Sequence, residues 1–139
     1  MKFRWLLVIP FVAVAICCSL TPSVVGKWKV SPDFVSNPPK GLDTVFMTTF
    51  ARTFKYEFKA SHTFKSTMTW GTYTMRGKTI LINTLSADGR PVAAKDQPMM
   101  SGDLSADGKT LILHIPDLSK VPALAALKDI KMVRDDGSN

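Results

Sequence analysis

Only two cysteines occur in the 139-residue chain, and they are neighbours, Cys17 and Cys18. Adjacent cysteines rarely bridge each other, and with no third thiol a disulfide framework and a thiolate metal site are both excluded. Histidine is as scarce. His62 and His114 stand alone and make a poor zinc set. The one glutamate, Glu57, lies between Lys55 and Lys59, and hydrolysis by paired carboxylates needs a second acid facing it. Gly-x-Ser-x-Gly, phosphate-loop and dinucleotide patterns are missing too. These absences predict no catalytic residues, no metal and no cofactor. Nor is there a block of about five or six like charges, so nucleic acid is not an expected partner.

What the chain does have is a basic balance, net +7. Two of those charges, Lys2 and Arg4, precede the apolar run from Trp5 to Ile16, in the pattern of an export signal. That run is interrupted by Pro10 and is well short of the ~20 residues a membrane span needs. Residues 1–18 are therefore read as a signal and 19–23 as a linker. One β domain is expected over 24–135, with a disordered tail over 136–139. Removing Lys2 and Arg4 leaves a net charge of 7 − 2 = +5. Such an excess suits either a solvated outer face or attraction to acidic surfaces such as phospholipid headgroups or envelope polysaccharide.

The middle of the chain alternates. Phe54, Tyr56 and Phe58 face one way and Lys55, Glu57 and Lys59 the other, as a sheet with one wet face requires. Three tight turns punctuate it, at Ala60-Ser61-His62, Arg76-Gly77-Lys78 and Asp107-Gly108. The first strand is expected over Val24–Val30, with Val24, Gly26, Trp28 and Val30 on one face. Pro32, Pro38 and Pro39 make 31–40 a loop. Over 41–52, Leu42, Val45, Phe46, Thr49 and Phe50 follow one helical face and Asp43 supplies a cap, which predicts a short helix despite its β-branched residues. Hairpins follow over 53–59 with 63–69, 72–75 with 78–85, and 101–104 with 110–115. On the second of these strands Phe64, Met68 and Trp70 form the apolar face. Ile80, Leu81 and Ile82 are apolar on both faces, which predicts cover from both sides or from the helix. Leu85-Ser86-Ala87-Asp88-Gly89-Arg90 recurs as Leu104-Ser105-Ala106-Asp107-Gly108-Lys109. It is expected to be one hairpin-turn chemistry used twice, the Asp bonding the backbone ahead of it and the Gly left-handed. A helical turn is plausible within 119–127, and 130–134 is a closing strand. The fold class is thus all-β with one short helix, an antiparallel meander closing into a small barrel or half-barrel.

Gly26-Lys27-Trp28 on the first strand of an exported β chain resembles the lipocalin signature. With Tyr56–Lys59, Trp70–Thr74 and Leu104–Leu111, the ordered set resembles small bacterial lipocalin-like lipoproteins of unknown function. The resemblance implies that Trp28 closes one end of the barrel, beside Gly26 and beneath a basic residue from near the C-terminal end, a role that falls to Arg134. Val14-Ala15-Ile16-Cys17 resembles a bacterial lipobox, with Ala15-Ile16-Cys17-Cys18 as a shifted second choice, which implies lipidation at Cys17 or Cys18 although Ile16 or Cys17 stands where a small residue is usual. Ordinary cleavage near Ser19 stays the alternative. Either route places the protein in the cell envelope, anchored by lipid, or otherwise in the periplasm or secreted. The family's Thr-Asp-Tyr motif is missing and the chain is short for a full eight-stranded calyx. Ala60-Ser61-His62 replaces the usual Asp-Gly turn, so that hairpin is expected to be looser.

Phe54, Tyr56, Phe58, Phe64, Met68, Trp70 and Tyr73 form an aromatic-rich stripe. It is either the core or the wall of a pocket for a small apolar ligand, with Phe46 and Phe50 as a lid. Two functions remain open: a non-catalytic envelope protein that binds a small apolar ligand or lipid, and an envelope protein-binding module with a filled core. A module of that kind, an inhibitor or assembly factor, would use the loops over 31–40 or 91–100.

Overall fold

The computed structural model describes residues 21–96, 99–116 and 125–137. The expected signal, both cysteines and most of the 119–127 turn lie outside the described residues. Nine strands and two short helices run in the order β1 (Gly26–Val30), α1 (Pro32–Ser36), α2 (Thr44–Thr53), β2 (Lys55–Phe58), β3 (Thr63–Ser66), β4 (Thr69–Arg76), β5 (Thr79–Ala87), β6 (Arg90–Pro91), β7 (Met99–Leu104), β8 (Thr110–His114) and β9 (Asp129–Arg134). A 3₁₀ turn, Ala94–Asp96, precedes β7. β1 pairs antiparallel with β2 and β9, β4 with β3 and β5, and β7 with β5 and β8. With β2–β3 and β8–β9 also paired, eight strands close into an up-and-down barrel, and β6 only extends β5. Closure removes the half-barrel alternative and leaves no free edge among these eight strands.

The two ends differ. At one, which we call the turn end, lie the β2–β3, β4–β5 and β7–β8 turns, the start of β1 and the finish of β9. At the other, the helix end, α1 and α2 fill the β1–β2 connection and the β3–β4 turn sits nearby.

Inside, alternation holds. Trp28, Ile80, Ile82, Leu111, Leu113 and Met132 are inaccessible to solvent, and Phe58, Phe64, Tyr73, Leu104 and Ile130 are no more than 3 % exposed. Two interior-facing positions are glycine because nothing larger fits. A Cβ on Gly102 would meet Ile112 O and Leu113 Cδ2 at 2.9 Å, and one on Gly71 would meet Asn83 O at 2.0 Å. Eight strands of this size give a bore that side chains fill.

Several expectations need correction. Residues 32–36 form a helix, because Pro32 sits at its first position, where a missing N–H costs nothing. Asp43 caps α2 as expected, its carboxylate accepting from Phe46 N at 2.6 Å. The buried face of α2 is rotated from the expected one. Met47 is fully buried, with Phe50 and Ala51 packed on the core, whereas Val45 is 78 % exposed. Ala51 allows close approach on that side and a β-branched residue would not. Leu81 is half-buried, but it lies beside Met99 and Ala94 rather than under the helix.

The duplicated hexapeptide makes two different turns. At 104–109 the Asp107 carboxylate accepts from Ser105 Oγ (2.6 Å) and Lys109 N (3.0 Å) and Gly108 is left-handed, as expected. At 85–90 the ladder continues to Ala87↔Arg90, leaving a two-residue loop in which Asp88 (φ 51°) and Gly89 (φ 72°) are both left-handed, the geometry of a primed hairpin turn.

Candidate functional site

The residues singled out in the sequence separate into an interior, a rim, an outer wall and a closed end. Tyr56, Phe58, Phe64 and Tyr73 are interior. Their rings form a chain, with centroids 5.7 Å apart for Tyr56–Phe64, 6.2 Å for Phe58–Phe64 and 5.1 Å for Phe58–Tyr73. It continues at the helix end through Phe54, 5.2 Å from Tyr56, then Phe50 at 4.7 Å and Phe46 at 6.2 Å. Phe46 and Phe50 are half-buried on α2, where a lid would lie. Burial pushes the Tyr56 hydroxyl up to about 12, a hydrogen bond with Thr69 partly offsetting the effect. The Tyr73 hydroxyl donates to Lys59 O at 2.6 Å.

Met68 and Trp70 are not part of this wall. They are 62 % and 52 % exposed, on the outside of the barrel. The chain reverses at 67–68, so the parity of facing resets: Phe64 faces in on β3, but Gly71 and Tyr73 face in on β4. The register shift between Trp70 and Gly71 leaves Leu85 as an extra residue on β5, while the alternation of β4 runs through unbroken. A cleft of about 430 Å³ is lined there by Trp70, Met68, Lys59 and Lys65 among others. This and four more clefts of about 260–480 Å³ open to solvent at the outer wall or the rims. Phe64 borders the first of these clefts, Trp28 and Tyr56 a second, and Tyr73 and Ile82 a third, yet all of these interior side chains are at most 6 % exposed.

The closed end is built on Trp28. Its indole N–H donates to Val24 O at 2.8 Å, and the Arg134 guanidinium lies over its ring, 4.2 Å from the centroid. Arg134 also donates to Gly108 O at 3.1 Å and to the carbonyls of Val25 and Ser23. One side chain therefore ties β9, the β7–β8 turn and the segment leading into β1. Gly26 is required here twice over: its φ is +131°, and a Cβ would meet Arg134 Nη1 at 2.7 Å.

Of the two histidines, His62 adopts φ 61° in the β2–β3 turn with its ring 5.5 Å from that of Tyr73. That turn is not loose, since the Tyr73 hydroxyl and a 2.8 Å Ser61–Thr63 hydroxyl pair hold it. His114 is held on the outer wall by two carboxylates, Nδ1 to Asp129 Oδ1 at 2.7 Å and Nε2 to Asp103 Oδ2 at 2.9 Å. Asp103 also accepts from Thr79 Oγ1 at 3.0 Å, so the clasp spans β5, β7, β8 and β9. Asp129 and then Asp103 raise the His114 pKa, and His114 with Thr79 holds Asp103 below its usual range. With both ring nitrogens engaged, His114 has no lone pair free for base catalysis. The sequence offered no signal for this cluster, because its members meet only once the register is known. Glu57 lies directly between Lys27 and Lys65 across the strands, a cross-strand setting in keeping with a structural role. Among the described residues no group of three or more histidine, cysteine or acidic side chains is arranged so that it could hold a metal ion.

No protein-family model, no curated protein and no solved structure matches this chain.

Proposed function

We propose that this chain is a non-catalytic protein-binding module of the cell envelope, an inhibitor or assembly factor built on a small lipocalin-like barrel. The observation that supports this reading is the packed interior: the ring chain and the aliphatic residues opposite it are almost completely buried against one another. Recognition then falls to the outside. The strongest outer feature is the Trp70–Met68 strip, where large apolar groups stand exposed beside Lys59 and Lys65. Tryptophan is enriched among the residues that dominate binding at protein interfaces. Support for export comes from the residues of the N-terminal run alone.

A photo-crosslinking residue at position 70, introduced in the producing cells, tests it. The expected result is one discrete envelope adduct, lost when the probe is moved to position 112 on the opposite outer wall. Diffuse labelling at both positions contradicts it. A second reading, transient binding of an apolar molecule, is favoured by the ring chain from Phe46 into the barrel. Hinging α2 away would uncover Phe54 and Tyr56. Saturable binding of a fluorescent fatty acid, reduced by Phe50→Ala, would favour that second reading.

A further inference from the structure

We propose that the turn end of the barrel docks on an anionic phospholipid surface. This rests on the envelope reading above and adds an orientation and a partner chemistry. Charge is unequal between the two ends. At the turn end Lys27, Lys59, Arg76, Lys78 and Lys109 are exposed, against Asp103, Asp107 and Asp136 as exposed acids, and the Asp103 carboxylate is already held by Thr79 and His114. The Asp107 carboxylate is engaged with Ser105 and Lys109 N. Asp135 is turned to the barrel wall, 3.4 Å from Lys29 Nζ and 3.9 Å from Lys55 Nζ. At the helix end, exposed Lys40, Arg52, Arg90, Lys95 and Lys128 are matched by exposed Asp33, Asp43, Asp88, Asp96 and Asp129. Apart from Lys55 and Lys65 on the wall, the described residues therefore give five exposed cations to three acids at one end and five to five at the other.

Each turn at the cationic end brings its own cation: Lys59 before the left-handed His62, Arg76 and Lys78 around Gly77, and Lys109 after Gly108. They project from short, tightly bonded turns on a rigid barrel, so little is lost in ordering them against a flat surface. The chain also enters the barrel at this end, through Val24 and Gly26, with Arg134 gripping the Ser23 and Val25 carbonyls. Only five residues separate Cys18 from Val24, a reach of about 20 Å fully extended. An acyl group or apolar segment held in a bilayer near Cys17 and Cys18 would bring this rim, not the helix rim, to the headgroups. An anionic leaflet attracts cations near its surface by about 1 kcal/mol each, or about fivefold.

The test is lysine acylation of the full chain on vesicles, read residue by residue by mass spectrometry. Vesicles of phosphatidylcholine alone are compared with vesicles containing phosphatidylglycerol. On the anionic vesicles, labelling of Lys59, Lys78 and Lys109 is expected to fall about fivefold while Lys40, Lys95 and Lys128 stay unchanged. Protection should fade in about 1 M salt, where the screening length drops to about 3 Å, and in the triple variant Lys59→Glu, Lys78→Glu, Lys109→Glu. Equal labelling of both ends on chain that floats with anionic vesicles overturns the orientation and leaves the envelope reading intact. Chain that floats with neither vesicle overturns the docking and the membrane-attached form of that reading together. Equal protection by a soluble anionic polysaccharide overturns the assignment to phospholipid.

Discussion

Arg134 stacks on Trp28 and satisfies three carbonyls from two separate segments. Arg134→Ala removes the cation–π contact and leaves those acceptors to water, so urea denaturation should show a loss of about 2 kcal/mol. Lysine at the same position, with a point charge in place of a planar fork, should recover only part of it. Tyr73 gives a cleaner single-bond case. Tyr73→Phe keeps the ring contacts with Phe58 and His62 and deletes the hydrogen bond to Lys59 O, so the expected cost is about 1 kcal/mol by the same measurement. At this scale the sequence was informative where a motif fixes an environment. The resemblance carried by Gly26–Trp28 implied a basic partner for Trp28, and Arg134 lies over its ring. It was uninformative at Trp70, because facing depends on where a strand ends, and nothing in Thr67-Met68 marks a turn.

Among the elements, β5, β7, β8 and β9 share the His114 clasp, which makes the pairing of that wall depend on pH. The folded-state pKa of His114 is raised above its ordinary 6.5, so the stability it contributes is fully present below about 6.5 and is lost as pH rises through the raised value. For Asp103 the folded-state pKa is lowered from 3.8, so its contribution is present above that value and is lost as pH falls through the lowered one. The clasp is therefore strongest between about pH 4 and 6.5. Thermal unfolding of the native chain and of His114→Gln should differ most in Tm within that window, with the gap closing toward pH 9. A constant gap would mean that His114 contributes through packing alone. Elements were legible wherever one period dominated: β2 from Phe54–Phe58, and α2 from its cap and apolar spacing. They were less legible at α1, where three prolines concealed five helical residues, and in the duplicated hexapeptide, where the pairing beyond each turn selects its geometry.

For the whole molecule, the antiparallel meander and its closing strand at Ile130–Arg134 followed from alternation and turn chemistry. Closure into a complete barrel did not, because short strands leave the number needed for closure undetermined until register and tilt are known. Nor did the sequence distinguish core from pocket, since the same aromatic stripe serves either. The near-complete burial of the interior side chains favours core, and the interior-facing glycines show how closely the strands approach. Gly102→Ala places a methyl 2.9 Å from Ile112 O and Leu113 Cδ2, and in a solid core this overpacking should cost about 1–3 kcal/mol in chemical denaturation. A cost near zero would mean that β7 and β8 move apart readily at that position.

The packed interior itself is tested most directly by native mass spectrometry of the protein purified from its own host without detergent or organic solvent. The predicted spectrum contains the polypeptide, with any covalent N-terminal modification, and no non-covalent companion. A stoichiometric apolar adduct that leaves only on unfolding would contradict a filled barrel.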